Sequence, residues 1–229
     1  MSKQAQRELV VVLHADVVGS TAMVHQNESV AHARIRDAFQ SFARTIALYG
    51  GTAHEIRGDA LLAEFSRASD AVSAALSFQS DNTRWTESLQ DDIRPEVQVG
   101  ISLGEVIIAD GTLTGVGAVL AQRLEQLAKP GGVVVQGTVS ETVPSRMPFD
   151  FVNMGEHSLK GFEHPVRAFA AGLRTGESLP APEQQVTRGP GQNPGTNASG
   201  NPTGEPSTKP SIAVLPFINM SDEPAQEHF

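Results

Sequence analysis

Residues 176–210, "GESLPAPEQQVTRGPGQNPGTNASGNPTGEPSTKP", limit what this chain can fold into more than any other stretch. They are dense in Gly, Pro, Ser, Thr, Asn and Gln and almost free of large apolar side chains. Such a segment cannot bury enough surface to offset its ordering entropy, so it is predicted to be a disordered linker. A packed core must therefore come from residues 1–175. Beyond the linker, "SIAVLPF" reads as a single strand, which is not a domain. Residues 211–229 are predicted to be the truncated start of a further domain.

Within the first 175 residues the apolar pattern alternates between strand and helix periods. "LVVVLHAD" reads as a buried strand ending at Asp16. A helix is expected next, with Ser20 or Thr21 as its N-cap. Ile35, Phe39, Phe42, Ile46 and Tyr49 form its apolar stripe, and Gly50-Gly51 stops it. "AHEIRGDALLAEF" reads as a hairpin turning at Gly58-Asp59. A second helix is expected from about Ser69, with Val72, Ala75 and Leu76 inward. "EVQVGISL" and "EVIIA" read as two strands with a turn at Gly104. A third helix over about 117–128 carries Leu120, Leu124 and Leu127. "GGVVVQG" and the segments around Phe151 and Phe169 complete the sheet. This order predicts an α+β sandwich, with helices packed on a mostly antiparallel sheet.

Composition excludes several kinds of function. The net charge of −9 argues against nucleic acid as the main partner, since phosphate binding needs clustered Lys and Arg. The chain has no cysteine, so disulfides, thiolate chemistry and Cys-based zinc sites are excluded. "LVVVL" is too short for a signal peptide or a membrane span. These features predict a cytoplasmic domain with no membrane contact in this segment.

Two aspartates fall at expected strand ends: Asp16 in "HADVVGST" and Asp59 at the hairpin tip. Carboxylates at adjacent strand ends can converge on one hard cation, and Mg²⁺ is commonly held by one or two carboxylates together with substrate phosphate oxygens. The same residues also suit plainer roles, Asp16 as a helix cap and Asp59 as a turn former.

Five blocks taken in order carry a family resemblance: "HADVVGST", "YGGTAHEIRGDALLAEF", "VQVGISLGEVII", "LAQRLEQLAKPGGVVV" and "GEHSLKGFEHPVRAF". Over about residues 7–174 the chain resembles a class III nucleotide cyclase homology domain, most of all the bacterial adenylate cyclases of the rhizobial type. The fold implied is the ferredoxin-like-derived cyclase sandwich. The closing "PSIAVLPFINMSDEPAQEHF" resembles the segment after the cyclase domain in multidomain members, so the chain is expected to be the N-terminal part of a larger protein.

The resemblance implies a reaction. The ribose 3′-hydroxyl attacks the α-phosphorus and pyrophosphate leaves, with two Mg²⁺ or Mn²⁺ ions per site. The metal-binding aspartates match Asp16 and Asp59, with the Val17 carbonyl as a further ligand. The site is implied to form at the interface of a head-to-tail homodimer, with ATP or GTP as substrate. The transition-state arginine matches Arg123, and Lys160 in "LKGF" is expected near the triphosphate.

Three positions depart from the family pattern. The asparagine expected four residues before the arginine is Val119. The base-recognition lysine, three residues before the Gly of "GD", is Glu55. Its aspartate partner aligns with Thr112, and Asp110 substitutes if that loop is shifted. A glutamate at the first of the base positions is typical of guanylate cyclases, where it accepts from guanine N1 and N2. Two readings stay open at this point: an active purine nucleotide cyclase with altered base contacts, or a non-catalytic homology domain that dimerises or senses nucleotide for the region downstream.

Overall fold

A computed structural model describes residues 6–57, 60–109 and 112–182. The central strand is β1 (Gln6–Val17), paired antiparallel with a strand on either side. Its side chains alternate between two faces, as a strand's must. Val11, Leu13, Ala15 and Val17 enter the main core with the long helices, whereas Val12 packs on the opposite face with Ala121.

Helix formation after β1 differs from the expectation of one continuous helix. There are two, α1 (Ser20–Gln26) and α2 (Glu28–Leu48). The break is Asn27, whose backbone is extended and whose Oδ1 accepts from the Val30 amide at 3.2 Å, capping α2. Gly19, not Ser20 or Thr21, is the cap of α1. The stripe Ile35, Phe39, Phe42 and Ile46 is buried as its spacing predicts, and Tyr49 caps the C-terminus. The strands β2 (Thr52–Arg57) and β3 (Ala60–Phe65) then pair antiparallel, with a bulge between Ala53 and Glu55. The expected turn at Gly58-Asp59 lies outside the described residues.

Helix α3 (Ala68–Glu87) lies against α2, and Phe78 stacks on Phe42 with ring centroids 4.0 Å apart. Next comes β4 (Val97–Ala109), one unbroken strand in place of the expected hairpin at Gly104. Gly104 does not turn the chain. A Cβ there would stand 2.7 Å from the Gly117 Cα on the helix above, so the residue is glycine to let that helix approach. The reversal comes later, where β5 (Thr112–Thr114) pairs back on β4 with Thr112 opposite Ala109.

Helix α4 (Val116–Glu125) crosses the face of the sheet opposite α2 and α3. Leu127 and Ala128, expected within it, come after it in tighter turns. The remaining elements are β6 (Val133–Gln136), α5 (Gly137–Thr142), β7 (Phe149–His157) and β8 (Val166–Leu173). The short α5 is an addition to the expected elements. The sheet runs β2-β3-β1-β4-β6-β8-β7, with β5 attached to β4. Only the β4–β6 pairing is parallel among the described strands, so the α+β sandwich with a mostly antiparallel sheet is what forms.

After β8 the chain turns back over the main core. Leu179 packs against it, and the Tyr49 hydroxyl donates to the Pro180 carbonyl at 3.1 Å. Among the described residues, no helix is long and apolar enough to cross a membrane.

Candidate active site

Asp16 is the penultimate residue of β1, held in register between Ala60 on β3 and Gln98 on β4. Being flanked on both sides by strands fixes its backbone. The Val17 amide donates to Asp16 Oδ1 at 2.8 Å. The Val17 side chain is buried in the main core, so only its main chain can serve a ligand. Ala60 pairs with Asp16, and Asp59 precedes Ala60 in sequence, but Asp59 itself lies outside the described residues. Among the described residues, no three His, Asp or Glu side chains gather into a metal-sized cluster.

Arg123 and Val119 lie on α4, and Lys160 and Thr112 lie on segments packed beside it. Arg123 is half-buried in its last turn. Its Nη1 donates to Gln126 Oε1 at 3.2 Å, while its Nε is buried with no hydrogen-bond partner among the described residues. A buried N–H without a partner is unfavourable, so this donor is open to an acceptor. Val119, one turn earlier, is 42% exposed. Lys160 is exposed in a turn closed by the Phe162 amide on the Leu159 carbonyl at 3.1 Å. Leu159 and Phe162, which flank it, pack with Leu120 and Leu124, so the lysine turn is seated on α4. Thr112 is half-buried on β5, next to Leu113, which shares a cluster with Ala121 of α4. The backbone of Glu55 pairs with Leu62, directly after the bulge. Asp110, the alternative to Thr112, lies outside the described residues.

One pair has no forerunner in the sequence reading. His14, two residues before Asp16, points its Nδ1 at Glu125 Oε2 from 3.6 Å. The side chains are only 12% and 4% exposed. The separation is too long for a hydrogen bond, and His14 Nδ1 is buried with no hydrogen-bond partner among the described residues. Glu125 stands in the "LAQRLE" block, but nothing local in the sequence couples it to a residue on β1.

The profile of the adenylate and guanylate cyclase catalytic domain matches residues 2–171. The chain belongs to this family. Over its whole length it is 31% identical to the Rhizobium meliloti protein named "Putative adenylate cyclase 3", of which it covers 37%. It therefore spans little more than a third of that relative. An adenylate/guanylate cyclase/hydrolase from Silicibacter pomeroyi superposes with a TM-score of 0.67 at 27% identity, covering 73% of this chain and 98% of that one. The guanylyl cyclase Cya2 superposes at 0.64 with 24% identity, covering 78% of this chain and 98% of its own, which is a likeness of fold alone. Cyclases named for either purine thus share this sandwich, and the base must be read from side chains.

Proposed function

We propose that this cyclase domain converts ATP, or GTP, to the 3′,5′-cyclic nucleotide and pyrophosphate, at a site shared between two copies of the chain. The observation that carries the reading is an aspartate fixed at the end of the central strand, together with an arginine on α4 whose buried Nε has no acceptor among the described residues. Asp16 and the Val17 main chain are hard oxygen donors, the kind that Mg²⁺ and Mn²⁺ prefer, so the residues fit such ions. Asp16, Val17 and Asp59 would hold them. Divalent ions bound there supply charge stabilisation to the attacking and leaving oxygens.

The chain's own groups do the rest. Arg123, from the partner subunit in this reading, donates to the phosphoryl oxygens as charge builds on the α-phosphorus. Lys160 approaches the triphosphate, while Glu55 and Thr112 face the purine. The ribose 3′-oxygen forms the new bond to phosphorus and loses its proton to solvent water. The bond to the β-phosphate oxygen breaks, and pyrophosphate departs. In this reading residues 1–175 act as the catalytic domain, 176–210 as the linker and 211–229 as the start of a downstream domain; residues 183–229 lie outside the described residues.

The test is an assay of the purified dimer with Mn²⁺ and each of the four nucleoside triphosphates, identifying product by mass. Cyclic purine nucleotide supports the proposal. Its absence overturns it and moves the weight to a nucleotide-sensing or dimerising module, the reading that Val119 favours.

Two substitutions probe the departures from pattern. Val119 is partly exposed, so an amide there meets no packing penalty. Val119→Asn is expected to raise kcat by about tenfold with KM little changed, because the new donor acts mainly in the transition state. An unchanged kcat in an active protein means that another group already fills the role. Glu55→Lys is expected to move the ATP/GTP ratio of kcat/KM toward ATP by about tenfold or more, since adenine N1 accepts where guanine N1 donates. An unmoved ratio places Glu55 outside the base pocket.

A further inference from the structure

The contact between His14 and Glu125 belongs to no step of the reaction, yet it joins the two elements on which the reaction depends. His14 is on β1, two residues before Asp16, and so shares its sheet face. Glu125 is on α4, two residues after Arg123. The approach is possible because Gly100 lies opposite His14 in the next strand. A Cβ on Gly100 would stand 2.1 Å from the Ala121 carbonyl oxygen and 2.2 Å from the Glu125 nitrogen. The helix therefore rests directly on the sheet at this point, and Glu125 reaches across the glycine to the imidazole.

The two ends of this contact are held with unequal firmness. β1 is hydrogen-bonded along both edges, to β3 and to β4, so the backbone of Asp16 has little freedom to move. Helix α4 is held on the sheet by side-chain packing and by the Ser102 hydroxyl donating to the Gly117 carbonyl at 2.8 Å; the Gln98 amide donates to the Ala128 carbonyl just beyond its end, and the His14–Glu125 contact lies between the two bonds. A carboxyl buried this deeply is costly without a polar neighbour. Removing the imidazole would impose that cost, which a lift of the helix end relieves, and Arg123 is in that last turn.

We propose that His14 is a positioning residue for Arg123, acting through Glu125. This rests on the shared-site reading, in which Asp16 and Arg123 of one chain serve different active sites. His14 therefore acts on the site opposite to the one its neighbour Asp16 belongs to. The histidine adjacent to one catalytic centre tunes the other.

The test uses dimers of two differently tagged full-length chains, one Asp59→Asn and one Arg123→Ala, purified through both tags. Only one site per dimer is then intact. It draws Arg123 from the Asp59→Asn chain and its metal-binding carboxylates from the Arg123→Ala chain. His14→Leu placed in the Asp59→Asn chain is expected to lower kcat by about tenfold or more, with KM for the metal–nucleotide within about twofold, as loss of positioning requires. The same substitution in the Arg123→Ala chain is expected to cost at least about fivefold less. His14→Asn, whose amide can stand near the Nδ1 position, should recover most of the loss in the first arrangement. Glu125→Ala, which removes the other half of the contact, should repeat the asymmetry should the leucine variant fold poorly.

Hydrogen exchange gives a readout free of turnover. His14→Leu should speed amide exchange in α4 while leaving β1 unchanged. Equal kcat losses in the two arrangements, a larger loss in the second, or equal acceleration in β1 and α4 would each overturn the proposal alone. A silent parental mixture with subunit exchange confirmed overturns the shared-site reading, and the proposal with it.

Discussion

Asp16→Asn is expected to lower Mg²⁺- or Mn²⁺-dependent kcat by about 10²–10³-fold or more, the scale on which a single transition-state contact is felt. The fold should survive. Asparagine has nearly the same shape, its Oδ1 can still accept from the Val17 amide, and the backbone is fixed by pairing on both sides. The substitution removes a formal negative charge at the end of β1, and a hard dication requires that charge. Asp59→Asn should behave alike. The checks are steady-state kinetics across a metal titration and a thermal melt, in which Tm moves by no more than about 4 °C. Full activity in either variant would show that the carboxylate does not bind metal. A collapsed Tm would assign Asp16 to the fold instead.

The second large effect is a rescue. In the proposed shared site, homodimers of Asp59→Asn would lack a metal ligand at both sites, and homodimers of Arg123→Ala would lack the cation at both. Mixing the two creates heterodimers in which one site carries both defects and the other carries neither. Activity should therefore rise from near nothing to at most about half of wild type per heterodimer, because a two-fold dimer has two equivalent sites. A site built within one chain predicts no rescue, and neither do ordinary surface roles for these residues. The measurement is turnover after co-expression or subunit exchange, with heterodimer formation monitored by native mass spectrometry. Flat activity in confirmed heterodimers would end the shared-site interpretation.

The sheet is legible in the sequence because its strands carry dense β-branched runs, and α2 because its inward residues repeat at helical spacing. Errors arise where one residue type serves two physical ends. Gly104 reads as a turn, yet a glycine is equally required wherever a helix backbone meets a strand, and only the packed structure separates the two. Asn27 disappears into a long helical period, although an Asn before Glu28 is a recognisable helix start. Residues of the candidate site come from resemblance rather than from periodicity. The seating of the Lys160 turn on α4 is invisible in the sequence, because it depends on Leu159 and Phe162 meeting Leu120 and Leu124 from far along the chain. The approach of His14 to Glu125 likewise needs β1, Gly100 of β4 and α4 to be stacked before any pattern exists to read.

The bond from the Tyr49 hydroxyl to the Pro180 carbonyl, with Leu179 packed on the same core, fastens the segment that emerges from β8 to the C-terminal end of α2. Immediately after Tyr49 the chain passes through Gly50 and Gly51, and a Cβ on Gly51 would stand 2.4 Å from the Phe65 ring and 2.8 Å from Ile46. That corner has no slack. β2 begins at Thr52, three residues after the tyrosine that pins the segment following β8, so that segment is fastened beside the start of an edge strand.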